Sequence, residues 1–229
     1  MLEKYVITID GPAGAGKSTV AKALAEQLHY IYLDTGALYR AIAYRVLIEN
    51  IHPDDHEEIA GLCHRINIDL KNVNAHMRVY VDDEDITDKI RTEKIGLLAS
   101  KVSALPDVRK TLLSVQRESG KNGGVVVEGR DMGSVVFPEA NFKFFLDASV
   151  EERSLRRYKE LFIQENAIDF HNVKTDLMQR DKQDRERKIA PLIPPDGALV
   201  IDSTNMTLQD VIEKMLLVIK SYKANRPSL

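Results

Sequence analysis

Apolar residues in this chain follow two rhythms. Residues 5–10, YVITID, are β-branched and scarcely alternate, as in a strand buried on both faces. Residues 18–28 place Val20, Ala23, Leu24 and Leu28 at helical spacing. A short strand is predicted over 30–33. A helix follows over 37–49, with Leu38, Ile42, Ala43, Val46 and Leu47 on its apolar side. The same alternation returns after residue 120. Residues 125–128 and 142–147 read as buried strands, each ending in an acidic residue followed by polar groups. Residues 149–166 and 172–188 read as strongly charged helices, and 198–202 as the last strand. Residues 207–222 close the chain as an amphipathic helix carrying Val211, Ile212, Met215, Leu216 and Ile219 on one face. Strands alternating with helices predict an α/β protein with a parallel sheet covered on both sides.

Residues 53–102 break this rhythm. They read as a helix over 54–66, then short polar strand-like pieces at 68–70 and 77–82 separated by KNVNAH, then a turn-like DDED. The segment is expected to be an insertion forming its own small sheet. Helix is predicted again over 102–119. The chain has no internal repeats and no low-complexity linker.

Composition narrows the possibilities. The chain has 229 residues, 44% hydrophobic and 29% charged, enough for one domain with an insertion. A net charge of −3 gives no global field for a long nucleic acid. The single cysteine, Cys63, excludes an internal disulfide framework and reads as a small buried hydrophobe. No apolar run approaches the roughly 18 residues of a membrane span. The first residues lead straight into a strand without a signal-like region, so the protein is expected to be cytoplasmic. The six histidines show no metal spacing; His52 and His56 flank Pro53 and Asp54 and read as a helix start.

The first strand and first helix flank Gly11-Pro12-Ala13-Gly14-Ala15-Gly16-Lys17-Ser18, followed by Thr19. This is a phosphate-binding loop in the setting it requires. Glycines let successive backbone N–H groups point inward, and the helix N-terminus adds its positive end. Lys17 is the mobile cation for the outer phosphates, and the Ser18 hydroxyl is a magnesium ligand. The chain lacks both the Asn-Lys-x-Asp and the Asp-x-x-Gly motifs expected of a GTPase.

Three clusters are candidates for a second substrate. LDTGALYR ends the second strand, where ligands bind in open α/β sheets; Thr35 could face that site or cap the next helix, and Arg40 lies one turn in. EGRDMG, with Glu128, Arg130 and Asp131, ends the third. EERSLRR and RDKQDRER lie on the charged helices. Solvated faces are their ordinary explanation, yet phosphoryl transfer needs mobile arginines that neutralise charge and exclude water. Arg180 and Asp184 share one helix face, with Arg187 close to it.

Over essentially its whole length the chain resembles the bacterial cytidylate kinases, nucleoside monophosphate kinases of the P-loop class. The resemblance is carried by IDGPAGAGKST, LDTGALYRA, IRTEKIGLLASKVSALPDVRKTLLSVQR, EGRDMGSVVFPEANFKFFLDAS, QRDKQDRERKIAPL and LVIDSTNMTLQDVIEK. It implies a three-layer fold on a five-stranded parallel sheet. Residues 1–52 and 103–229 would form the core, 53–102 the monophosphate-binding insert, and roughly 153–188 the lid. It implies transfer of the γ-phosphate of ATP to CMP or dCMP with Mg²⁺, in pyrimidine nucleotide metabolism, by a monomer acting on small molecules. Residues 11–19 would bind ATP. By position, Ser100, Arg109 and Asp131 would contact cytosine. Thr35, Arg40 and Arg130 would lie near the acceptor phosphate, Arg180 and Asp184 at the sugar, and Arg187 near the base or phosphates. Arg153 and Arg157 would be lid arginines that act with Lys17 and Arg130 in catalysis. Some relatives carry Asp in place of Glu128, so Glu128 is given no metal role. A kinase for AMP or UMP, and a P-loop regulator signalling to a protein, are the rival readings.

Overall fold

The computed structural model describes residues 4–73, 76–162 and 168–224. The chain runs through strand β1 (Val6–Asp10), helix α1 (Lys17–Leu28), strand β2 (Ile31–Asp34) and helix α2 (Thr35–Ile48). Helix α3 (His56–Arg65) follows, then strands β3 (Ile68–Val73), β4 (His76–Val81) and β5 (Glu84–Asp85), and helices α4 (Glu93–Val102) and α5 (Pro106–Gly120). Strand β6 (Val125–Gly129) leads through a π-helical turn, Met132–Val136, to β7 (Phe142–Asp147). Helices α6 (Val150–Phe162) and α7 (Phe170–Glu186), strand β8 (Leu199–Asp202) and helix α8 (Leu208–Ala224) complete it.

Five strands form one parallel sheet in the order β2-β6-β1-β7-β8. Ile7 of the central strand is flanked by Val126 and Phe142, which explains why its neighbours scarcely alternate. Ile7, Ile9, Phe144 and Leu146 pack with Leu24 of α1 and Met215 of α8. Leu33, Val125 and Val127 pack with Met132 and Val136. A separate antiparallel sheet, β3-β4-β5, joins α2, α3, α4 and α5 in another core around Ile42, Ile59, Leu62, Val79 and Ile95.

The helix expected over 102–119 is α5, which begins at Pro106 rather than at Val102, where α4 ends. Leu105 is extended, with φ −79° and ψ 128°, and Pro106 starts α5, because a residue before proline is driven out of the helical region. Helix α4, with Thr92 capping the Ile95 N–H, starts nine residues before the expected helix and lies in the part of 53–102 where no helix was expected. The break has a consequence for chemistry. It lets Arg109, one turn into α5, donate back to the Ser103 carbonyl at 3.2 Å, on the same side as Ser100. Residues 163–166 of the predicted charged helix lie outside the described residues.

Candidate active site

The turn from β1 into α1 requires glycine. At Gly11, φ is +149° and a Cβ would lie 2.0 Å from the Leu146 carbonyl oxygen of β7. Gly16, also left-handed, caps α1 without a side-chain acceptor, so the first-turn N–H groups stay available to an anion. Lys17 is 6% exposed and its Nζ donates to the Pro12 carbonyl at 2.7 Å. Burial, then the neighbouring Arg130, push its ammonium down to about 7. Asp10 ends β1 beneath the loop. It accepts from the N–H groups of Met132 and Gly133, both at 2.8 Å, and burial raises it to about 6 despite those bonds. Asp10 thereby pins the end of β1 to the turn that follows EGRD.

Ala13, Gly14, Gly16, Lys17, Ser18 and Thr19 line a cleft of about 830 Å³. Gly11, Pro12 and Ala15 stand behind it as the turn's frame. The far wall brings together Thr35, Arg40, Ser100, Arg109, Arg130, Asp131, Arg180, Asp184 and Arg187. Five separate parts of the chain, the loop among them, therefore converge on one space.

Each member is held by specific partners. Asp34 caps α2 by accepting from the Ala37 N–H at 3.1 Å, so Thr35 is not the cap. Thr35 instead donates to the Glu128 carbonyl at 2.7 Å, joining β2 to β6 at the cleft floor. Asp34 also pairs with Arg40 at 2.6 Å and Arg91 at 2.8 Å. Burial opposes its charge, yet the two arginines outweigh burial and hold its carboxyl below the usual range. The Tyr32 hydroxyl donates to Glu128 Oε1 at 2.6 Å.

Asp131 is 2% exposed and lies between two guanidinium groups, hydrogen-bonded by Arg109 and by Arg187 at 3.4 Å. Burial raises its carboxyl above the ordinary value against the pull of both arginines. Arg130 donates to Asp184 at 2.8 Å, and Arg109 lies 5.7 Å from the centre of the Tyr39 ring. Ser100 Oγ faces Gln183 Oε1 at 3.5 Å.

The charged helices divide in two. Arg157 of α6 lines the cleft and pairs with Glu93 at the start of α4, and Arg180 of α7 pairs with the same carboxylate at 2.8 Å. Arg180 passes over Gly96, where a Cβ would come within 3.2 Å of its Nη2. Arg153, expected beside Arg157, does not line the cleft. It is 1% exposed and donates to the carbonyls of Ala148 at 2.9 Å and Ala13 at 3.0 Å, and to Asp181 at 2.5 Å. A long cation with that many internal acceptors is turned inward.

Asp34, Arg91 and Glu93 line the cleft but were not among the expected site residues. Asp34 carried a readable signal, an acid directly before a helix. Glu93 and Arg91 carried none, since their partners are distant in sequence.

A phosphate loop facing an arginine-rich cleft, on this strand order, defines a P-loop kinase of small molecules. The structure of shikimate kinase from Bacteroides thetaiotaomicron matches over 95% of this chain and 99% of that one, with TM-score 0.50 and 12% identity, a likeness of fold. The family model for Cytidylate kinase matches residues 7–221. A cytidylate kinase of Geobacter sp. (strain M21) is 46% identical over 219 residues, covering 96% of this chain and 94% of that one. That of Caldicellulosiruptor bescii is 43% identical over 215 residues, covering 94% and 95%. The chain belongs to the cytidylate kinase family. Among the described residues no helix is long and apolar enough to cross a membrane.

Proposed function

We propose that the protein transfers the γ-phosphate of ATP to CMP or dCMP, giving CDP or dCDP and ADP. The observation that carries this reading is the buried Asp131 carboxylate beside Arg109, at the end of the cleft built from α4, α5 and the EGRD turn. Cytosine offers an amino donor at N4 and acceptors at N3 and O2, which a carboxylate and an arginine match. Ser100 joins them at the base. Thr35, Arg40, Arg91 and Arg130 receive the acceptor phosphate, Arg180 and Asp184 the sugar, and Arg187 stands between base and phosphates.

The triphosphate lies in the loop formed by residues 11–19, with Lys17 on its outer phosphates. The CMP phosphate is ionised at pH 7 and attacks in line, so transfer needs positioning and charge neutralisation rather than a strong base. Lys17, Arg130 and Arg157 spread the charge of the transferring group. The donor set fits Mg²⁺ carried by the nucleotide: the exposed Ser18 hydroxyl is a ligand, and Asp10 is already occupied by two N–H groups. Bound there, Mg²⁺ neutralises phosphate charge. Residues 53–102 act as the acceptor-binding insert and α6–α7 as the lid, on a core that works as a cytoplasmic monomer.

A coupled assay of ADP release across CMP, dCMP, UMP and AMP tests the reading. Turnover is expected with CMP and dCMP, weakly with UMP and not with AMP. Slow ATP hydrolysis indifferent to CMP would instead mark a P-loop regulator.

Glu93 adds a second expectation. A phosphate oxygen of ATP that takes Arg157 competes with this carboxylate, and a partly exposed ion pair is worth about 0.2–1 kcal/mol. Glu93→Gln is expected to tighten ATP binding by about twofold to fivefold. Titration calorimetry showing equal or weaker binding would contradict it.

A further inference from the structure

We infer that Arg153 is a positioning residue which, with Asp181, holds the phosphate loop in register with helix α7, the helix that carries the acceptor-side residues Arg180 and Asp184 and is followed directly by Arg187. The inference rests on the kinase reading and deepens it.

The geometry is a buried three-way junction. Arg153 Nη1 donates to the Ala13 carbonyl of the loop at 3.0 Å and to Asp181 Oδ2 of α7 at 2.5 Å, while Nε donates to the Ala148 carbonyl after β7 at 2.9 Å. One guanidinium thus ties together the loop, the turn between β7 and α6, and α7. Arg153 is 1% exposed and Asp181 5% exposed, so solvent screens the pair little. A second contact repeats the arrangement one turn away. A Cβ on Gly14 would lie 2.8 Å from the Arg153 carbonyl oxygen and 3.1 Å from Leu177 Cδ1 of α7. Leu177 and Asp181 are spaced i,i+4, so one stripe of α7 packs on the donor loop. Arg180 and Asp184 line the cleft from the same helix, and Arg187 from its C-terminal cap.

This stripe sets the distance between donor and acceptor. In-line transfer depends steeply on that distance: a displacement of about 1 Å far from the chemistry can cost about 100-fold in rate. Arg153 reaches no cleft surface, and Asp181 carries the charge of the substrates themselves, so neither suits direct contact with phosphate. Their joint effect must pass through the backbone of Ala13 and the axis of α7.

Steady-state kinetics on Arg153→Lys, Asp181→Ala and the double variant test the inference, with thermal melts to establish folding. Each single change is expected to lower kcat about tenfold and to raise the Kd of a non-hydrolysable ATP analogue about threefold. The double variant is expected to lose no more than the worse single one, because the two residues act as a unit. Asp181→Asn, which keeps an acceptor for Nη1, is expected to recover most of kcat. A folded Asp181→Ala with wild-type kcat overturns the inference, as do multiplying losses in the double variant. Arg153 touching phosphate directly would give a loss in Arg153→Lys alone. If Asp181→Ala does not fold, Asp181→Glu, which keeps the charge but displaces the carboxylate by one methylene, replaces it in the same additivity test with Arg153→Lys. Failure of the kinase reading looks different: the wild-type protein would then release no ADP with CMP, while the analogue Kd would still report on the junction.

Discussion

Lys17→Ala is expected to lower kcat by about 100- to 1,000-fold with the fold intact. The magnitude is that of removing one preorganised charge from a transition state. The side chain is nearly inaccessible, and among the described residues its acceptor is the Pro12 carbonyl at 2.7 Å, so folding gains little from its charge. Burial, reinforced by Arg130, brings the ammonium down from 10.5 to about 7. A lysine lowered in the folded state destabilises it as pH falls from 10.5, and the full cost is present below about pH 7. The variant should therefore melt at or above the wild-type temperature near neutral pH. A triphosphate supplies the missing counter-charge and restores the proton, so ATP binding at pH 8 should take up a proton in the wild type but not in the variant. Calorimetry in two buffers of different ionisation enthalpy reads this directly. A variant within fivefold of wild-type kcat would refute the assignment of Lys17 to the donor.

The strands and the donor loop were legible because their determinants are local. VVV has no polar face to offer, and in FKFFLD only Lys143 and Asp147, near the two ends, interrupt an apolar run, so a strand buried on both sides suits them. The loop's glycines, lysine and serine are consecutive. Pro106 was a readable signal for where α5 starts, but the apolar spacing of 102–119 alone places that start four residues early. The cleft's wiring was not legible, because it is set by contacts across long stretches of chain. In RSLRR nothing local distinguishes Arg153, which turns inward, from Arg157, which faces the cleft. The distinction comes from Ala13, 140 positions away, and Asp181, 28 positions away. Glu93 meets Arg157 and Arg180 at separations of 64 and 87 residues. Asp10 acts through backbone N–H groups 122 and 123 positions on, which no side-chain pattern reveals.

Asp131→Asn is expected to collapse the preference for CMP over UMP, and it isolates the base-reading part of the cleft from the transfer chemistry. The carboxylate is 2% exposed, and two arginines face its oxygens, Arg187 at 3.4 Å and Arg109 closer. Those donors fix its orientation and leave acceptor capacity for a substrate amino group. Uracil presents a carbonyl where cytosine presents that group, so a buried anion would face an acceptor with no water between them. Sites that hydrogen-bond a substrate group in this way reject the analogue lacking it by about 10⁴-fold in kcat/KM. An asparagine amide can donate to that carbonyl. The ratio of kcat/KM for CMP to that for UMP should fall to about tenfold, mainly through loss of CMP activity, with some gain for UMP. Asp131→Ala should lose CMP activity without any gain for UMP, because it removes the acceptor and adds no donor. The substitution also takes the counter-charge from Arg109 and Arg187, so a lower melting temperature is expected and rates belong well below it. With ATP saturating, the KM for ATP should stay near wild type, since the donor loop keeps its own contacts. An Asp131→Asn enzyme that retained the wild-type CMP-to-UMP ratio would place base recognition elsewhere in the cleft, with Ser100 and Arg109 left to carry it alone.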